Sequence, residues 1–219
     1  MIAVADLLKA QRLPGNYFTP DAYIKGDFES GLLENRRGDR LLALPETLIQ
    51  AIYAGLEQEA GQAASAVLFN CGRWWGKNFY ARFVEEVSDY YGKTLAEMEV
   101  VELLQCLKQC WKTHGWGTFD LDLSYYQQGF LVVKIWNSAF AQQAPQGNRP
   151  ACFLEAGILS VFFSQLTGRQ LNCVQTSCES LEADCNRFIL GLPERLEHTK
   201  AWLEEDHETV MERLCMGRG

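Results

Sequence analysis

The stretch from Pro150 to Leu190 constrains the fold most. It carries an apolar helix, Cys152-Phe-Leu-Glu-Ala-Gly-Ile-Leu-Ser-Val-Phe-Phe163, and then a strand-like Leu171-Asn-Cys-Val-Gln-Thr176. A polar turn bracketed by Cys178 and Cys185 follows, and Asn186-Arg-Phe-Ile-Leu190 returns as a second strand. Short apolar runs joined by a polar turn predict a β-hairpin. Pairing of those strands brings Cys178 toward Cys185, with Cys152 heading a helix packed nearby. Three thiols converging on one hairpin mouth are the most informative chemical feature of the chain.

A second hairpin lies upstream. Phe119, Leu121 and Leu123 alternate with Asp120, Asp122 and Ser124, the period of a half-buried strand. Gln127-Gln-Gly is its turn. Phe130 to Trp136 returns apolar on both faces except at Lys134, which predicts a central strand. Before residue 118 the period is helical. Pro45 suits the first position of a helix to about Gly61. A longer helix runs from about Ala63 to Tyr91-Gly92, with Val67, Cys71, Trp74, Trp75, Phe79 and Phe83 as its apolar face. Gly72 and Gly76, on a neighbouring stripe, permit close backbone approach within the chain or across a dimer. Thr94-Leu-Ala-Glu97 reads as a capping box for a third helix through Trp111, stopped by Gly115. Ala141 to Pro150 is a polar loop. Leu192-Pro193 opens a final charged helix to about Leu214, with Trp202, Leu203, Val210 and Leu214 as a narrow apolar stripe. The predicted fold is α+β: an antiparallel sheet of about four strands, two hairpins, packed against several helices.

The expected organisation is an irregular N-terminal arm over 1–44, a ligand-binding domain over 45–192 and a charged helix over 193–219. Turn signals fill the arm, at Thr19-Pro-Asp, Lys25-Gly-Asp and Arg37-Gly-Asp among others. Tyr17, Phe18, Tyr23 and Phe28 lie between them, so the arm is expected to pack on the domain rather than trail in solvent. A net charge of −8 argues against a nucleic-acid partner. No signal peptide is read at the N-terminus. The most apolar run, Phe153 to Phe163, is too short to span a bilayer and contains Glu155. The expected location is therefore cytoplasmic, with peripheral membrane contact compatible. Phosphate loops, nucleophile elbows and His-Glu-x-x-His are not found, so a catalytic role is not expected. Asp120 and Asp122 read as a solvent face, and His198 and His207 as solvated.

This order of elements resembles the 4-vinyl reductase domain family over roughly Ala64 to Leu190. The resemblance rests on Gly72-Arg73, Gly115-Trp-Gly117, Asn137-Ser-Ala-Phe140, Cys152-Phe-Leu-Glu-Ala-Gly157 and the Cys178…Cys185-Asn-Arg-Phe188 ending. It implies the fold shared with palmitate-binding TRAPP trafficking subunits and with phenol-sensor domains, the NO-signalling and Golgi-transport ligand-binding fold. It further implies a frequently dimeric binding domain with a pocket between sheet and helices. Ligands in the family are aromatic, acyl or tetrapyrrole-like. On this chain the implied ligand-binding residues are Trp74, Trp75, Phe79, Trp111, His114, Trp116, Phe130 and Trp136. Plain core packing is the alternative for these rings, and a backbone-bonded helix end is the alternative for His114.

The expected function is a non-catalytic domain binding a hydrophobic ligand, a tetrapyrrole such as a chlorophyll precursor or bilin, in pigment or photosynthetic complex assembly. The alternatives are an assembly module that docks protein partners without a ligand, and a tetrapyrrole reductase. A homodimer through Gly72 and Gly76 is expected. In the phenol sensors three cysteines and a glutamate hold zinc. The resemblance places the cysteines at Cys152, Cys178 and Cys185, but Gln175 stands at the glutamate position. Gln175, Cys173, Glu179 or Asp184 would have to complete a structural zinc site. Inert buried thiols and a Cys178–Cys185 disulfide remain open beside it.

Overall fold

The computed structural model describes residues 15–141 and 149–216. Residues 1–14, and 142–148 of the Ala141–Pro150 loop, fall outside the described residues.

The N-terminal region is more ordered than its turn signals suggest. It forms α1 (Pro20–Tyr23) and a small antiparallel sheet of β1 (Lys25–Asp27), β2 (Leu32–Glu34) and β3 (Arg40–Leu41). Lys25-Gly-Asp, read as a turn, is strand β1, whereas Gly38 of Arg37-Gly-Asp takes a left-handed φ of 85° in a true turn. Tyr17, Phe18 and Tyr23 are buried in the main core, and the Phe18 ring stacks on Phe83 with centroids 5.6 Å apart. Backbone ties hold the segment there: Tyr91 Oη donates to Gly15 O at 2.8 Å and Asn16 Nδ2 to Gln105 O at 3.2 Å. Phe28 does not join them and is 88% exposed.

The first long helices are α2 (Glu46–Ala60), entered from Pro45, and α3 (Ala64–Tyr91). Helix α3 buries only part of the face its large apolar residues predict, turned toward its small residues. Leu68, Gly72, Gly76, Phe83 and Val87 face inward, while Val67, Cys71 and Trp74 are exposed. The reason is a close helix crossing. A Cβ on Gly72 would strike the Leu154 carbonyl, and one on Gly157 would strike that of Phe69. Only glycine lets the two backbones approach this closely, so the smallest residues turn inward. Gly72 and Gly76 are thus used within the chain, which corrects the expectation that they pair two subunits.

The Thr94–Glu97 box is present, with Thr94 N–H donating to Glu97 Oε2 at 2.7 Å, but it caps a short 3₁₀ turn at Leu95–Glu97. Helix α4 (Val100–Thr113) starts later, from a second box in which Glu99 N–H donates to Glu102 Oε2 at 3.1 Å. It stops where expected, with Gly115 at φ 71°.

The main sheet contains β4 (Thr118–Asp122), β5 (Leu131–Trp136), β6 (Asn172–Ser177) and β7 (Asn186–Gly191), in the antiparallel order β4-β5-β7-β6. Both predicted hairpins form, and β5 is central. They join along β5–β7, where Val133 faces Phe188. Helix α5 (Phe153–Thr167) lies between the hairpins in sequence and between α3 and the sheet in space, which explains why it is apolar all round.

Strand alternation divides the core. Phe119, Leu121, Val133, Ile135, Phe188 and Leu190 join the cluster formed with α3, α4 and α5. Phe130, Val132 and Ile189 face the opposite side and meet the C-terminal segment. That segment is not one helix. It runs as α6 (Pro193–Leu196), a 3₁₀ stretch at Glu197–Ala201, a turn, and α7 (His207–Met216). Asp206 restarts it, accepting from Thr209 N–H at 2.9 Å and from the Thr209 hydroxyl at 2.7 Å. Val210, Met211 and Leu214 then cover the second face.

Candidate functional site

Candidate site residues fall in three places. The first is the hairpin mouth. Cys152 precedes α5 and Cys178 follows β6, and their sulfurs are 3.6 Å apart. Gln175 on β6 bridges them to the backbone. Its Oε1 accepts from Cys152 N–H at 2.9 Å, and its Nε2 donates to Cys152 Sγ and to Asn186 Oδ1, each at 3.3 Å. Asn186 in turn donates to Ile135 O and to Glu179. The Glu179 carboxylate accepts from Asn137 N–H at 2.8 Å and Ser138 N–H at 3.1 Å. This network ties the Asn137-Ser corner after β5, the turn after β6 and the start of α5 together.

The zinc expectation meets a misfit here. Cys185 and Cys173 are buried, yet among the described residues no three His, Cys, Asp or Glu side chains are grouped to hold a metal ion. Gln175 spends both ends of its amide on hydrogen bonds, and its nitrogen points a proton at Cys152 Sγ rather than a lone pair at a cation. The residues present do not fit a three-cysteine, one-carboxylate zinc site. The two thiols are close enough for one to donate to the other. The Cys152 hydrogen bond, and then Ser180, hold Cys178 below the usual thiol range, while the same bond and burial push Cys152 up. Glu155, one turn into α5, is fully buried and pushed up to about 8 by desolvation, against the opposing 2.9 Å bond from Ser138 Oγ.

The second place is the aromatic interior. Trp75, Phe79, Trp111, His114 and Trp116 form one contiguous group: Trp116 lies 4.9 Å from Trp75, 5.3 Å from Phe79, 5.1 Å from Trp111 and 4.6 Å from His114. The other three candidates do not join it. Trp74 is 83% exposed, and Phe130 and Trp136 lie on the opposite side of β5 from Val133 and Ile135. Phe130 packs under the Arg195 guanidinium at 4.3 Å. His114 is a helix-end histidine, with Nδ1 2.8 Å from Cys110 O, and burial lowers its pKa. Where a cavity was expected between β5 and the helices, Phe79, Phe162 and Trp111 pack ring against ring. His207, read as solvated, is buried against Thr176 Oγ1 at 2.7 Å, while His198 is exposed.

The third place is absent from the sequence reading. A cavity of about 600 Å³ opens beside the α3–α5 crossing, bounded by both helices, the turn from α5 into β6, and Pro193. Phe69, Val161 and Leu171 supply apolar wall, and Arg73 and Arg169 supply charge. Gly72-Arg73 stood out in the sequence, but nothing there links it to Arg169, nearly a hundred residues away.

Comparison with known proteins agrees with the family resemblance. The V4R domain family model matches residues 131–192, which run from the start of β5 to just past β7. No curated protein matches. Among solved structures, the phenol-responsive sensory domain of the transcription activator PoxR, with phenol, superposes with a TM-score of 0.63 at 13% identity, covering 85% of this chain and 94% of that one. A vinyl-4-reductase family protein from Methanocaldococcus jannaschii gives 0.43 at 16% identity, covering 68% and 82%. A trafficking protein particle complex subunit 3 from Naegleria fowleri, covalently bound to palmitic acid, gives 0.46 at 11% identity, covering 67% and 93%. The fold is therefore that of the PoxR sensory domain. Among the described residues no helix is long and apolar enough to cross a membrane.

Proposed function

We propose that this chain is a non-catalytic binding module for a hydrophobic small molecule, of tetrapyrrole or acyl size. The observation that carries the reading is the cavity of about 600 Å³ beside α3 and α5, within the range of small-molecule sites. The shared fold supports it, since the PoxR sensory domain is described with phenol, a small aromatic. Tetrapyrroles such as chlorophyll precursors and bilins suit the volume, and a role in pigment or photosynthetic complex assembly follows from that choice of ligand.

A melting-temperature screen with porphyrins, bilins, chlorophyllides, fatty acids and phenol tests the reading. A true ligand at a hundredfold excess over its Kd adds roughly 2.7 kcal/mol to native stability and raises the melting temperature. If the whole panel leaves the transition unmoved, the binding reading fails. A second reading, a module that docks protein partners, then takes its place. Specific surface residues favour it: Leu48 and Ile52 on α2 and Val67 and Trp74 on α3 are exposed apolar side chains.

A further inference from the structure

The cavity beside α3 and α5 carries charge of the opposite sign to the chain as a whole. The chain carries a net charge of −8. Yet the cavity is lined by Arg73 and Arg169 and by no aspartate or glutamate. Both arginines are exposed, and among the described residues neither takes an ion pair. Arg37, Arg82, Arg149, Arg187 and Arg213 face carboxylates, whereas Arg36, Arg40 and Arg195 donate to backbone carbonyls.

The two serine hydroxyls of the wall are committed, while the amides of Gln165, Gln170 and Asn172 also line it. Ser160 Oγ donates to Leu171 O at 2.9 Å, and Ser164 Oγ donates to Ser160 O at 2.6 Å while accepting from Leu171 N–H. These bonds fix the turn into β6 and leave the guanidinium groups as the charged donors facing the space. A guanidinium presents paired N–H groups in a planar fork that matches a carboxylate or phosphate. The same cavity offers apolar wall from Phe69, Val161 and Leu171.

We infer that this cavity takes an organic anion, with a carboxylate or phosphate monoester held by Arg73 and Arg169 and an apolar body laid against Phe69, Val161 and Leu171. The inference rests on the small-molecule reading above and narrows it to ligands with one charged end. An acidic protein repels anions at long range, and two arginines without facing carboxylates offset that repulsion locally. A tetrapyrrole bearing propionates and a fatty acid both belong to the class.

Calorimetric titration of the full chain with decanoate, decyl phosphate and decanol, each below its aggregation concentration, tests the idea. Acetate and inorganic phosphate are run as headgroups without a body. The expected result is binding of decanoate and decyl phosphate at least about tenfold tighter than decanol, the scale of a charge-assisted hydrogen bond. The R73Q/R169Q double variant should lose that advantage and bind decanol as the parent does. Its unliganded melting temperature should be unchanged, because both side chains are exposed. Equal binding of acid and alcohol, or acids bound unchanged by the double variant, overturns the inference and leaves the small-molecule reading standing. Inorganic phosphate binding as tightly as decyl phosphate overturns the apolar half. If none of the three long-chain probes binds, the inference falls, while its premise is decided by the melting-temperature panel.

Discussion

Gly157 shows how one missing side chain decides a helix crossing. A Cβ there would overlap the Phe69 carbonyl, which is backbone and cannot rotate away. Gly157→Ala should therefore cost at least about 1–3 kcal/mol, the range for overpacking, read as a fall in urea midpoint. Gly168, at a helix end with open space around it, is the comparison site for a change with strain but no clash. Titratable residues give a second prediction. Glu155 has a folded pKa of about 8 against 4.5 when free. A raised carboxyl pKa means its contribution is fully present below 4.5 and is lost as pH rises through 8. Glu155→Gln should flatten stability over that window, by at most about 1.4 kcal/mol per pH unit. His207 works in the opposite sense, since burial lowers it from 6.5 to about 4. Its contribution is present above 6.5 and is lost as pH falls toward 4, so His207→Gln should flatten the acid limb. Denaturant titrations from pH 4 to 9 check both signs.

Elements differ in how far the sequence discloses them. The hairpins were readable because alternation is strict and the turns are polar, and β5 was placed centrally because it is apolar on both sides. Helix α3 is turned from the face its periodicity predicts, because periodicity counts large apolar residues and the crossing selects small ones. The C-terminal charged stretch with its apolar stripe reads as one helix, whereas the structure breaks it into α6, a 3₁₀ stretch and α7. The Asp206…Thr209 cap that divides it is a sequence signal that the helix reading does not use. The aromatic interior was half legible: the rings were found, but their side of the sheet depends on a register that sequence leaves open. Arg73 and Arg169 were not legible as a pair, because only tertiary structure brings them to one cavity. Helix α7 also carries a prediction of its own. Met211 is fully buried against the face holding Phe130, Val132 and Ile189. Met211→Ala should cost roughly 2–5 kcal/mol in a urea titration, a loss that a merely solvated tail helix would not show.

At the scale of the whole molecule, the arm belongs to the core rather than to a separate unit. Phe18 is fully buried against Phe83, and Thr113 Oγ1 donates to Phe18 O. Phe18→Ala should lower stability by roughly 3–5 kcal/mol and shift one cooperative transition seen alike by fluorescence and circular dichroism. A separate early transition for the arm would contradict this. The β5–β7 seam has a consequence in time. Each hairpin closes locally, but Leu131 must find Leu190 to join them, and closing a long loop carries an entropic cost before any contact offsets it. Both hydrophobic clusters draw on that seam, Val133 and Phe188 for one and Val132 and Ile189 for the other. A nascent chain that has emerged only as far as α5 thus holds helices and one hairpin without a finished core on either side. Ribosome-bound chains ending before Asn186 should be cut readily by protease, and chains extended past Met216 should resist. Synthesis commits this protein late, when its seventh strand clears the ribosome.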